Sequence, residues 1–426
     1  MAESFLEKLK HVASPGNPEE FFKNYNICTK FLDDFEMNLM SLESLRKIRE
    51  SESYNNFMQM WNLPVYYQIR FQEIAMPLET VLSSSDIIKS DSQDCKLKAT
   101  QLAKAAILDC FSPDKYLAPL GHRFFQLSLQ ILSRYKVWSL HCLESFETAA
   151  ISNVKRSETS KNLQKLESTG SKKTIPKSAS EKDLSDAAAG RSSVSLSDIV
   201  NIYCDVLQLA SSAGDLISSS PTSSSSSLDL SPAVRSAVEE LSSVLPKISS
   251  AVSSHLSAGP LKSLKSVVDI PRMYRRTNRE TPSKPCSYVV SVVDSLADFQ
   301  TSQQDVAGQE VTRQWLTSSA EVVVAQFLLQ VQDVLTNVTK MEESLRKLKK
   351  VRGGAGAGDR DKTAGLSDDD KIRLQLYLDV TYFLRELSSS GSLLGHLDHV
   401  TASQDGLMIK RVVEEAVQRF INDLNL

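Results

Sequence analysis

Residues 324–348 read Val324-Ala-Gln-Phe327-Leu-Leu-Gln-Val331-Gln-Asp-Val334-Leu-Thr-Asn-Val338-Thr-Lys-Met341-Glu-Glu-Ser-Leu345-Arg-Lys-Leu348, and this stretch decides the fold class. Its numbered apolar positions alternate steps of three and four, which keeps them in one seam along a helix. Several are valines, which suit strands, but strand side chains alternate with a period of two and these do not. The spacing predicts a coiled-coil-like helix whose seam packs within the chain.

The same period extends outward. Asn17-Pro18-Glu19-Glu20 offers a capping side chain, a proline suited to the first helical position and early acids that complement the helix dipole. From there Phe21, Tyr25, Cys28, Leu32, Phe35, Leu39, Leu42 and Leu45 predict one inward stripe of about seven turns. Helical patterns follow over 54–82, where Pro64 and Pro77 should kink or divide the helix, and over 97–111 and 116–150. They return at 199–217, then at 234–245 and 248–264 with Pro246 and Pro260 as punctuation. Beyond the central seam lie 368–387 and 407–424, where Val413, Val417, Phe420 and Leu424 are expected to point inward. No alternating strand runs joined by hairpin turns and no repeat of fixed length occur, so the expected class is all-α, an elongated helical bundle rod.

Composition shifts suggest an order along the chain: a lead-in over 1–16, a first helical bundle over 17–151 and a linker over 152–197. A second bundle over 198–350 ends in the long seam helix, followed by a Gly-rich loop over 351–366 and C-terminal helices over 367–426. The linker is rich in Ser, Lys, Thr and Glu, with too few apolar residues to offset the entropy of ordering, and is expected to be disordered.

Charge and cysteine usage exclude several function classes. With 49 basic and 52 acidic residues the net charge is −3, so no global field draws the chain to nucleic acid or an anionic membrane. Six widely spaced cysteines without a C-x-x-C pair read as reduced, mostly buried thiols. Residues 1–10 alternate charged and apolar types and lack the apolar core of a signal peptide. Apolar runs such as 322–329 fall short of the roughly 20 residues a spanning helix needs, so membrane association is expected to be peripheral.

A search for reactive constellations returns little. His396 and His399 stand i, i+3, but no third ligand of matching character lies nearby, which favours surface histidines over a zinc site. Gly354-Ala-Gly356-Ala-Gly358 follows a charged helix and lacks the terminal Gly-Lys-Ser/Thr of a phosphate loop, which favours a flexible linker. No G-x-S-x-G or H-E-x-x-H motif is present. The expectation is a non-enzymatic protein with no catalytic residues, metal or cofactor.

Two clusters remain. Arg272, Arg275, Arg276 and Arg279 would share one side of a helix, where they could bind anionic lipid headgroups. The favoured alternative pairs them with carboxylates of a neighbouring helix, with Met273 and Tyr274 facing the core. Residues 61–75 are the densest aromatic segment, with Trp61, Pro64, Tyr66, Tyr67 and Arg70 as the candidate interaction or packing signature. Aromatics beside an arginine can form an interface hot spot. In a helix Trp61, Val65 and Ile69 would line one side, which favours packing.

This segment, Trp61-Asn62-Leu63-Pro64-Val65-Tyr66-Tyr67-Gln68-Ile69-Arg70-Phe71-Gln72-Glu73-Ile74-Ala75, resembles the signature stretch of the subunit 2 family of the conserved oligomeric Golgi complex. Pro15-Gly16-Asn17-Pro18, Phe31 to Phe35, and Ile270-Pro271-Arg272-Met273-Tyr274-Arg275-Arg276-Thr277-Asn278-Arg279 resemble further parts of that family in the same order. The resemblance covers the family's C-terminal portion, without the N-terminal region that docks onto other subunits of the lobe. It implies a structural tethering subunit, peripheral on the cytosolic face of the Golgi, acting in retrograde intra-Golgi transport and in retaining glycosylation enzymes. The implied partners are the other subunits of the complex, with SNAREs, Rab GTPases and coiled-coil tethers, and no nucleic acid. The alternative from another class is a stand-alone peripheral membrane adaptor that uses the 272–279 arginines.

Overall fold

Short polar residues set several of the helix starts. The computed structural model describes residues 12–39, 41–167, 194–218, 230–352, 366–389, 392 and 394–424, with side chains described except at 151–167, 218, 349–352 and 419–424. Asn17 accepts from Glu20 N at 3.3 Å and opens α1 (Pro18–Met37). Ser41 and Ser51 do the same for α2 (Leu42–Arg49) and α3 (Glu52–Met60), and Asn62 for α4 (Leu63–Leu82). Next come α5 (Lys98–Cys110), α6 (Gly121–Glu167), α7 (Leu196–Ser218), α8 (Ser231–Ser242) and α9 (Val244–Leu264). The chain continues with α10 (Ile270–Tyr274), α11 (Ser287–Ala307), α12 (Gln309–Arg352), α13 (Asp368–Ser388), α14 (Asp398–Thr401) and α15 (Gln404–Leu424). Among the described residues the one β interaction is an isolated antiparallel bridge between Lys89 and Leu97, and no strand forms.

The chain divides into two compact units, Met1–Pro246 and Lys247–Leu426. In the first, α5, α6, α7 and α8 pack on one another and α4 lies on α5 and α6. This differs from the expected second bundle over 198–350. Residues 198–246 return to the first unit because α7 buries Ile199, Ile202, Val206, Leu209, Ala213 and Ile217 against α5, α6 and α8. In the second, α12 packs with α11, α13 and α15, so the expected separate C-terminal helices belong to the same core as the long seam. Periodicity identifies an inward stripe but not its partner.

Three further expectations need correction. The seven-turn stripe is two helices, because α1 stops at Met37 and Ser41 starts α2. Phe21 and Tyr25 are buried on α4, whereas Phe31, Phe35 and Leu42 are 67%, 44% and 85% exposed. The linker expected over 152–197 is helical as far as Glu167, because α6 has no proline and no glycine after Gly121 to stop it. Pro260 lies inside α9 instead of ending a segment. Residues 168–193 of that linker, most of the Gly-rich loop, most of the lead-in and the side chains of Phe420 and Leu424 lie outside what the structure describes.

Helix α12 is long and apolar enough to cross a membrane by length and composition alone. Its apolar residues already have protein neighbours: Trp315, Leu316, Val323, Val324, Phe327, Val331 and Val338 are at most 1% exposed within the second unit. The core role expected of the whole 324–348 seam ends at Val338, since Met341, Leu345 and Leu348 are half exposed or more. Gly308, with φ of 85°, joins α11 to α12 in a backbone conformation that glycine adopts freely. Gly406 lets α15 approach the preceding turn, where a Cβ would meet Val400 O at 2.5 Å.

Two of the helices without a side-chain cap of their own are α5 after Leu97 and α11 after Cys286. Each start is held by a buried aspartate from a distant helix. Asp205 of α7 accepts from Lys96 N and Leu97 N at 2.8 Å and from Thr100 Oγ1 at 2.7 Å, and Tyr135 donates to Thr100 at 2.6 Å. Asp379 of α13 accepts from Cys286 N at 2.7 Å, Tyr288 Oη at 2.6 Å and Gln375 Nε2 at 2.8 Å. Burial raises both carboxyls above the ordinary carboxylate range, and these donors oppose it.

Changing Val331, Val334 and Val338 together to alanine should lower the Tm by several degrees, because packed methyl groups leave a core and each kcal/mol moves a unit of this size by about 2–4 °C. Asp205→Asn should cost about 1–3 kcal/mol in chemical denaturation, since either amide orientation points an N–H at a backbone N–H. Asp379→Asn should cost less, because the Tyr288 hydroxyl can turn and accept. A carboxyl raised in the native state holds its proton to higher pH than in the unfolded chain. The stability it contributes therefore falls as pH rises from about 4, and either asparagine variant should flatten that decline.

Candidate interaction site

The aromatic segment breaks in two at its start. Trp61 closes α3, and Asn62 accepts from Val65 N at 3.3 Å to open α4 with Pro64 in the first turn. Trp61, Val65 and Ile69 therefore do not form one stripe: Trp61 is buried, Ile69 half-buried and Val65 exposed. The buried line of α4 is Tyr66, Arg70, Ile74, Leu78 and Leu82, spaced by four.

That line organises the first unit around it. The Tyr66 ring stacks on Phe21 at 5.0 Å, and Trp61 meets Phe21 and Tyr25 edge-on at 5.4 and 5.3 Å. The Tyr66 hydroxyl donates to Lys115 O at 2.8 Å and accepts from Arg70 Nε at 3.3 Å. The Arg70 side chain is 5% exposed, and its guanidinium lies 5.4 Å from the Tyr66 ring centroid and donates to Glu73 at 2.7 Å, which leaves its charge paired. Tyr67, half-buried, donates to Arg123 O at 3.3 Å and packs edge-on to Phe124 at 5.4 Å. Trp61, Tyr66 and Arg70 thus face inward, Tyr67 faces α6 and Pro64 faces solvent.

The opposite face of α4 was not singled out from sequence. Val65 and Met76 are exposed there at 37% and 61%, and Phe71, 38% exposed, flanks the buried line two turns before Leu78. Phe71, Ala75 and Met76 line a groove of about 260 Å³ together with Leu127, Gln130 and Ile131 of α6. Glu79 and Arg134 close its rim through a two-point ion pair at 2.7 and 2.9 Å. The signal available was the i, i+4 pair Leu127 and Ile131, but only tertiary structure sets it opposite Phe71.

The four arginines do not share a helical face. α10 contains Arg272 alone, the chain turns at Arg275, and Arg276 and Asn278 take positive φ of 61° and 52°. Arg272 pairs with Asp269 of its own turn at 3.6 Å. Arg275 pairs with Asp369 of α13 at 3.1 Å, Arg276 N donates to Asp368 at 3.3 Å, and Arg279 O accepts from Lys371 at 2.7 Å. Tyr274 is buried and donates to Gln375 at 2.7 Å, while Met273 is half-buried. The expected pairing with a neighbouring helix is made side chain to side chain by Arg275, and the loop docks on the acidic first turn of α13.

The remaining reactive types are quiet. Burial pushes the Cys110, Cys142 and Cys286 thiols up to about 12 and Cys204 to about 11, so all four stay protonated near neutral pH. His396 lies in the 3-10 turn Gly395–Leu397 and His399 in α14, and among the described residues no three potential ligands gather for a metal ion.

These features define a class: an all-helical protein whose described surface presents helix faces and an apolar groove suited to contact with other proteins. Residues 59–380 match the family described as COG complex component, COG2, C-terminal, and the chain belongs to that family. It is similar to conserved oligomeric Golgi complex subunit 2 of Homo sapiens, 34% identical over 399 residues that cover 90% of this chain and 52% of that protein. The same subunit of Drosophila melanogaster is 31% identical over 394 residues, covering 89% and 50%, and that of Arabidopsis thaliana 27% over 404 residues, covering 91% and 49%. The chain spans about half the length of the curated relatives it matches. Both the aromatic segment and the 270–279 segment fall inside the matched family region.

Tyr66→Phe tests the packing role of the signature. It keeps the ring stack but removes the partner of Lys115 O and Arg70 Nε, and should cost about 1–3 kcal/mol in denaturation.

Proposed function

We propose that the chain is a structural subunit of a Golgi vesicle-tethering complex, acting in retrograde intra-Golgi transport and in the upkeep of glycosylation enzymes. The observation that carries this reading is the alignment of about nine-tenths of the chain with relatives named as subunit 2 of the conserved oligomeric Golgi complex. Its physical support is a fold in which apolar stripes build two packed units while other helix faces stay open. The chain works by protein–protein contact without catalysis or cofactor. Its partners are the other subunits of the complex, and beyond them SNAREs, Rab GTPases and coiled-coil tethers. It sits peripherally on the cytosolic face of the Golgi membrane.

The test is to express the tagged chain at native level, purify it gently from cells and identify its companions by mass spectrometry after size exclusion. Other subunits of the complex should co-elute in stoichiometric amount. A chain that elutes without any of them would overturn the proposal.

A further inference from the structure

From Val324 to Val338 the seam of α12 is interior, with Val324, Phe327, Val331, Val334 and Val338 no more than 4% exposed. The same three-four spacing then continues through Met341, Leu345 and Leu348, which are 50%, 54% and 58% exposed. What changes is the company. Arg373 of α13 reaches Glu342 at 2.8 Å, and from 343 to 348 every side chain is exposed. The helix runs on past its packing with its apolar seam intact. A free segment of this length is marginal in water, so a second helix along the seam would stabilise it.

The shape of the stripe argues for a helix. A strict two-position seam is narrower than the broad apolar face of a helix lying in a membrane interface, and its register is continuous with an interior helix–helix contact. The charge around it selects among helices. Residues 340–352 carry Lys340, Arg346, Lys347, Lys349, Lys350 and Arg352 against Glu342 and Glu343, and Glu342 is already paired. A second copy of this chain would bring the same positive charge, whereas an acidic helix would be attracted and steered.

We propose that residues 341–348 of α12 are a docking seam for an amphipathic helix of another protein, one with heptad-spaced apolar residues and acidic flanks. The inference goes beyond the tethering reading and does not depend on which complex the chain joins.

The probe is a synthetic helix of about four heptads with Leu at both seam positions and Glu at the flanking positions, titrated against the full chain by fluorescence anisotropy. It should bind, lose affinity as salt rises, and bind roughly tenfold or more tightly than the same peptide with Lys flanks. The triple change Met341→Gln, Leu345→Gln and Leu348→Gln keeps helix-forming residues and should weaken binding roughly tenfold or more at unchanged Tm. Equal binding of the two peptides, or no binding of either, would overturn the proposal. So would a Tm lowered by several degrees in the triple variant, which would make the seam core. Self-association of the chain that the triple change abolishes would assign the seam to a second copy. Adsorption to phosphatidylcholine–phosphatidylserine vesicles in place of the peptide would assign it to a membrane.

Discussion

Buried aspartates hold the start of a distant helix in each unit, and the rest of the packing depends on that constraint. Helices leave their first N–H groups without internal partners, and α5 and α11 begin after Leu97 and Cys286, neither of which makes a side-chain cap. Asp205 reaches α5 across 105 to 109 residues of chain, and Asp379 reaches α11 across 91 to 93. Each carboxylate loses hydration on burial and regains it from N–H and O–H donors aimed at it. Because the backbone and hydroxyl donors belong to the start of the distant helix, with the Gln375 amide added at Asp379, each aspartate ties that start to its own helix.

Around these points the units close by apolar stripes. In the first, the line from Tyr66 to Leu82 carries the aromatic cluster of Phe21, Tyr25 and Trp61 on one end of α4, and a buried arginine is tolerated because Glu73, Tyr66 and the Tyr66 ring surround it. In the second, α12 supplies the seam to which α11, α13 and α15 attach. Among the described residues the open apolar surface includes the groove beside α4, the seam at the far end of α12, and Phe31, Phe35 and Leu42 of α1 and α2.

Much of this was legible in the chain itself. The cap at Asn17 and the period of Val324 to Val338 identify helices because cap chemistry and stripe spacing are local properties. The long-range carboxylates were not legible, since nothing near Leu97 or Cys286 announces a partner about a hundred residues away. The arginines misled for a related reason: their i, i+3, i+4, i+7 spacing fits a helix, but Arg275 is extended and ends it after one turn, ahead of Arg276 and Asn278 in the left-handed region. The aromatic signature was found, yet its inward line is offset from the expected one because Asn62 restarts the helix. Which unit 198–246 joins depends on packing partners, a property that no stripe encodes alone.

The most direct test of this account is hydrogen–deuterium exchange on the free full chain, resolved to short peptides. The amides at Lys96, Leu97 and Cys286 should be as protected as the interiors of α5 and α11, although they lie at helix starts, and 341–348 should exchange far faster than 324–338. Fast exchange at those three amides, or equal protection along the whole α12 seam, would contradict it.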